Sequence, residues 1–189
     1  HPAMLLDRFE AAARGWRAEV LRARPADWPQ AVRLALDQHA CRRVAIGAGG
    51  PMGDELSAAL QGLVLRRFDR PIEQWKTELF DHIDAGTTHP EAGSAGPGTL
   101  VPRPGPDEPR TLSLVPPLHV AVLRASRLFA SLPAAMRALA PEAEMPTNLL
   151  LVTGPSKTAD IQQVLAYGAH GPKALVIVLV DDVSEAAST

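Results

Sequence analysis

Apolar positions along the chain follow two rhythms. Leu5, Phe9, Ala12, Ala13, Trp16, Val20 and Leu21 recur about three and four apart, which predicts a helix from Met4 to Arg24. Pro25 and Pro29 end it and open a second helix carrying Val32, Leu34, Ala35 and Leu36. Further helices are expected from Asp54 to about Val64 and from Ile72 to His82, the latter with Trp75, Leu79 and Phe80 inward. Another is expected from Ser126 to Leu139, broken or kinked at Pro133. Short strand-like runs lie between them: Arg43–Gly47, Ile83–Thr88, Thr99–Val101, Thr111–Val115, Val120–Leu123, Leu149–Val152 and Ala174–Val180. Strands alternating with helices predict an α/β fold, a parallel or mixed sheet flanked by helices in one domain, with an N-terminal helical segment. The division expected is a helical segment over 1–40 and an α/β domain over 41–189.

The stretch from Leu149 to Val180 carries the clearest pattern. The run Leu149–Val152 is followed by the breaker Thr153-Gly154-Pro155, and Ser156 stands where a helix N-cap belongs. Asp160 falls in the first turn of that helix, beside the positive end of its dipole. Ile161, Val164 and Leu165 form its apolar stripe, and Gly168 can close it. Strand, turn, helix, turn and strand together have the size of a parallel crossover.

Composition narrows the function by exclusion. The net charge of −2 gives no basic footprint for nucleic acid and no polybasic membrane signal. No apolar run approaches the roughly 20 residues of a membrane span, and the opening residues lack a secretory pattern, so a cytoplasmic protein is expected. Cys41 is the one cysteine in 189 residues. The chain therefore cannot form an internal disulfide, and by itself it cannot supply a four-cysteine iron–sulfur or zinc set.

Candidate chemistry gathers at glycine turns. In open parallel sheets ligands bind beyond the carboxyl ends of strands. The Thr153-Gly154 turn, Gly98-Thr99 and the Gly47 loop are expected to converge there. Backbone N–H groups at the Ser156 helix start would attract a carboxylate or phosphate, with Lys157 adding charge and Thr158 a hydroxyl. Other readings of these glycines are weaker. The dinucleotide fingerprint fails because its third glycine is Met52, leaving glycines at 47, 49 and 53. GPSKT is no phosphate-binding P-loop, since Ser156 replaces the glycine before Lys157. It is no nucleophile elbow either, since Thr158 replaces the second glycine, and Asp160 and His170 are too close in sequence to come from successive strands. His170, beside Gly171-Pro172, is expected to fix its own turn, or else to serve a second site or subunit contact together with Gly171. His82, Asp84, His89 and Glu91 do not share an assured face, so no metal is expected. His119, after Pro116-Pro117, either lines a pocket or satisfies a core hydrogen bond.

GPSKTADI followed by GAHGP resembles the end of the lactate-utilisation (LUD) domain, and the chain resembles the lactate-utilisation protein C family. Gly86-Thr87, Gly98-Thr99-Leu100-Val101, Leu114 to Val120, Thr153 to Ile161 and His170-Gly171-Pro172 carry the likeness in order. The resemblance implies a fold like that of sugar-phosphate isomerases and coenzyme A (CoA) transferases. It also implies participation in oxidising L-lactate to pyruvate, with no cofactor in this chain and iron–sulfur clusters on partner subunits. One departure stands out: Gly96 and Pro97 occupy places where related chains carry an acid and a hydroxyl residue. On this reading Thr153, Gly154, Ser156, Lys157, Thr158, Asp160, Gly98, Thr99 and His119 hold a small carboxylate or phosphate. The rivals are an independent isomerase or acyl/CoA-transferase-like enzyme, for which Glu91 and Glu108 are the available carboxylates, and a pure scaffold.

Overall fold

The computed structural model describes residues 1–47, 51–68, 74, 77–78, 81–102, 115–139, 151–155 and 172–184. Helix α1 (Pro2–Gly15) leads to strand β1 (Glu19–Ala23), and α2 (Trp28–Gln38) leads to β2 (Arg43–Gly47). Helix α3 (Pro51–Ala59) is followed by β3 (Val64–Phe68). After helical residues Gln74, Thr77, Glu78, Asp81 and His82 come β4 (Ala85–Thr88), β5 (Ala92–Ser94) and β6 (Thr99–Val101). Strand β7 (Leu118–Arg124), a 3-10 turn, β8 (Leu128–Phe129), α4 (Leu132–Leu139) and β9 (Ala174–Val180) complete the described elements.

Six strands form one parallel sheet in the order β1-β9-β7-β4-β2-β3, and three form a second sheet in the order β6-β5-β8. The run in β9 explains the large sheet. Leu175, Ile177 and Leu179 face a core shared with Leu6, Phe9 and Ala13 of α1, while Val176, Val178 and Val180 face one shared with α2 and α3. A strand covered on both sides reads as an unbroken apolar run, which is why its bounds were legible. The α/β architecture with a parallel sheet flanked by helices agrees with the expectation from the alternating pattern.

Four expectations are corrected. The helix from Met4 stops at Gly15, and Val20 and Leu21 belong to β1, paired in parallel with Ile177 and Val178 of β9. The stop is a Schellman motif: Ala18 N–H reaches Ala13 O and Arg17 N–H reaches Arg14 O, with Arg17 left-handed at φ +68°. No glycine marks that reversal, so the helical rhythm seemed to run through it. Arg22 then ties β1 back to α1 through Asp7 and Glu10, and the Asp7 hydrogen bond raises its pKa. The second correction lies at α3, which ends at Ala59, so that Val64 begins a strand. In the third, Ser126–Leu139 is divided: Ser131 caps α4 through Ala134 N–H, and Pro133 sits in the first turn, where its missing N–H costs nothing. In the fourth, Val152 is an isolated antiparallel bridge to Leu100, outside the six-stranded sheet. The helix expected after Ser156, Thr111–Leu114, and the inward side chains Trp75, Leu79 and Phe80 lie outside the described residues.

The same helix ending recurs at α2, where Cys41 N–H reaches Leu36 O, Ala40 N–H reaches Asp37 O and Ala40 takes φ +54°. An alanine there bears a left-handed penalty that glycine avoids. Ala40→Gly is expected to stabilise the fold by about 0.5–1 kcal/mol, read as an increase in urea midpoint at constant slope.

Candidate functional site

The second sheet brings part of the expected site together. Thr99 opens β6 and Thr153 follows the Val152 bridge, and their hydroxyl oxygens lie 2.8 Å apart. Ser94 stands across from Thr99 in the antiparallel register, so the two side chains share a face. Its Oγ is buried and has no hydrogen-bond partner among the described residues. Gly98 and Gly154 flank the threonine pair with φ of +67° and +70°.

Both glycine turns press on the end of α1. A Cβ at 98 would lie 2.7 Å from the Ala13 nitrogen, and one at 154 would fall against the Trp16 carbonyl oxygen, well inside contact distance. Trp16 also donates its indole N–H to Pro97 O at 3.1 Å. Pro97 thus contributes a backbone acceptor to the junction with α1. Trp16, part of the apolar rhythm of the first helix, touches both turns.

Three hydroxyls without a neighbouring base can donate hydrogen bonds to a carboxylate or carbonyl oxygen. They do not form an activated nucleophile, since no titratable side chain is hydrogen-bonded to Thr99 or Thr153 among the described residues. Ser156, Lys157, Thr158, Asp160, His170 and Gly171 lie outside the described residues, as does Glu108. Ser94 escaped the sequence reading because its strand, Ala-Gly-Ser, carries no β-type side chain.

His119 takes a different position. It lies in β7 opposite Gly86 of β4 and Leu175 of β9, in the interior of the large sheet. Its Nε2 is 2.6 Å from Thr88 Oγ1, while Nδ1 has no partner among the described residues. Burial holds its pKa down to about 4, so the ring is neutral at pH 7. The core hydrogen bond left open by the sequence is present.

The groups considered for a metal are dispersed. Asp84 Oδ2 accepts the backbone N–H groups of Arg42 and Arg43, and the His89 ring meets Trp28 edge-on at 5.9 Å between centroids. No three His, Cys, Asp or Glu side chains are placed to hold a metal among the described residues. Cys41 is buried, and desolvation followed by the Asp84 charge pushes its thiol up to about 11. None of the described helices is long and apolar enough to cross a membrane.

A six-stranded parallel sheet covered by helices, with a small second sheet bearing a hydroxyl cluster, defines a single-domain, Rossmann-like α/β protein. The LUD domain model matches residues 6–180, and the chain belongs to that family. It is 40% identical over 186 residues to uncharacterized protein NMB1437 of Neisseria meningitidis, covering 96% of this chain and 80% of that one. It is 28% identical over 159 residues to lactate utilization protein C of Halalkalibacterium halodurans, with 81% and 69% covered. The Deinococcus radiodurans lactate utilization protein C is 28% identical over 179 residues, with 94% and 80% covered. Among solved structures, a DUF162 family protein from Deinococcus radiodurans superposes with a TM-score of 0.74 at 26% identity, covering 95% of this chain and 98% of that one.

Proposed function

We propose that this protein is a non-redox subunit or accessory protein of a system that oxidises L-lactate to pyruvate. The observation that carries the reading is the LUD match over residues 6–180, together with relatives that are lactate utilization protein C. The non-redox part is supported by Cys41, the one cysteine of the sequence, which is buried and cannot by itself supply the four thiolates of an iron–sulfur cluster. Electron transfer falls to iron–sulfur partner subunits. This chain contributes a small-carboxylate or phosphate site at the Gly154–Thr158 turn, where the Thr99 and Thr153 hydroxyls supply donors.

Two measurements test this. The isolated chain is expected to show no lactate-dependent reduction of an artificial electron acceptor, while the complex assembled with its iron–sulfur partners shows it. Turnover by the isolated chain would overturn the non-redox assignment. Lactate or pyruvate at millimolar concentration is also expected to raise the melting temperature, an effect lost in the Thr99→Val, Thr153→Val double variant. Replacing both hydroxyls by isosteric methyl groups removes the donors without leaving either one unpaired. The tight packing of Gly98 and Gly154 on α1 favours a second reading, a scaffold whose glycines serve only its turns. Absence of any shift with lactate, pyruvate, phosphate or nucleotides supports it.

A further inference from the structure

A cavity of about 200 Å3 opens beside the amino ends of β2 and β3, lined by Arg43, Val64, Arg66, Glu78, His82 and Ile83. Arg43 and Val64 are the first residues of their strands, so the cavity lies at the opposite end of β2 from Gly47. It shares no residue with the hydroxyl cluster. Arg43 pairs with Val64 and Ala45 with Arg66 in the parallel register, which puts both arginines on one face of the sheet. Arg66 Nε is held by Glu78 Oε1 at 2.8 Å. The Arg43 backbone N–H is taken by Asp84, while its guanidinium has no hydrogen-bond or ion-pair partner among the described residues.

We propose that this cavity is a binding site for a small free monocarboxylate. Charge sets the valence of the guest. Arg66 is already matched by Glu78, so the charge a ligand meets is the Arg43 guanidinium, and a multiply charged phosphate would meet the Glu78 carboxylate with its excess. Shape sets the class. The planar fork of Arg43 matches the two oxygens of a carboxylate, and Val64 and Ile83 offer an apolar wall to a short alkyl chain. Size sets the limit. At about 30 Å3 per water, the space holds roughly six or seven waters, which is room for an acid of about three or four carbons. The proposal stands apart from the carboxylate turn proposed above and does not depend on it.

Two-dimensional NMR titration of the full chain with butyrate, and separately with inorganic phosphate, tests it. Butyrate is expected to bind in the millimolar range, moving the amide signals of Arg43, Val64, Arg66 and Ile83. Phosphate is expected to bind about tenfold more weakly. Arg43→Gln should weaken butyrate binding by about tenfold or more, the scale of a charge-assisted contact. Arg66→Gln repeats the test from the neighbouring strand, and the unchanged remainder of each spectrum reports an intact fold. The Thr99→Val, Thr153→Val variant should bind butyrate here as the parent does, which separates this site from the threonine pair. Unchanged affinity in both arginine variants, shifts confined to another region, or phosphate binding as tightly as butyrate would each overturn the assignment.

Discussion

Gly154→Ala is expected to lower the unfolding free energy by about 3–4 kcal/mol. Two costs combine. A left-handed backbone at φ +70° costs an L residue about 1–2 kcal/mol. The new methyl also meets the carbonyl oxygen and Cβ of Trp16, so the end of α1 must retreat from the turn. Backbone cannot swing aside as a long side chain can, and overpacking of this kind costs about 1–3 kcal/mol. Urea unfolding followed by far-ultraviolet circular dichroism reads the loss, and tryptophan emission reports the displaced Trp16. Gly53→Ala is the control: its Cβ meets nothing within 4 Å, and in a helix alanine is favoured over glycine by about 0.5–1 kcal/mol. A Gly154→Ala variant as stable as the parent would show that α1 does not rest on this turn.

Acidification is expected to remove about 3 kcal/mol of stability between roughly pH 6.5 and pH 4, through His119. In the unfolded chain its imidazole takes a proton near the ordinary value of 6.5, whereas burial in the fold delays protonation to about pH 4. Between those values the unfolded state binds more protons, so the contribution is complete above pH 6.5 and shrinks as pH falls. Below about pH 4 both states are protonated and no further loss arises from this group. His119→Gln keeps a polar partner for Thr88 but cannot titrate, so its stability profile should be flatter across the window. Parallel pH profiles for the two proteins would refute the assignment.

The sequence revealed the large sheet better than the small one, for identifiable reasons. Strands β2, β6 and β9 matched their expected bounds because apolar residues crowd them and glycine or proline stands nearby. Strand β1 was hidden because Arg17, rather than glycine, takes the left-handed place after α1. Strand β5 was hidden because Gly93 is pressed against Leu123 and Leu128, where a side chain would collide, so its composition resembles a loop. The expected approach of the Gly98-Thr99 and Thr153-Gly154 turns is seen in the contact of the two threonine hydroxyls. Their meeting on a second sheet beneath α1 required the antiparallel contact of Leu100 with Val152, a pairing 52 residues apart that local pattern cannot register. Ser94 enters through the β5–β6 register opposite Thr99, and Trp16 through its hydrogen bond to Pro97 O.

The docking of β1 beside β9 has a consequence for how the chain reaches this state. Among the described residues, 19–23 find their neighbouring strand in residues 176–180. On the ribosome, this strand must therefore wait until the chain has been made as far as residue 180. Contacts of such sequence separation are slow to close, and the interim form exposes Val20 and the unpaired rim of a nascent sheet. A permuted gene that begins after residue 24 and carries the first segment behind the last strand would turn this distant pairing into a neighbouring one. That rearranged protein should reach its native state faster than the natural order allows.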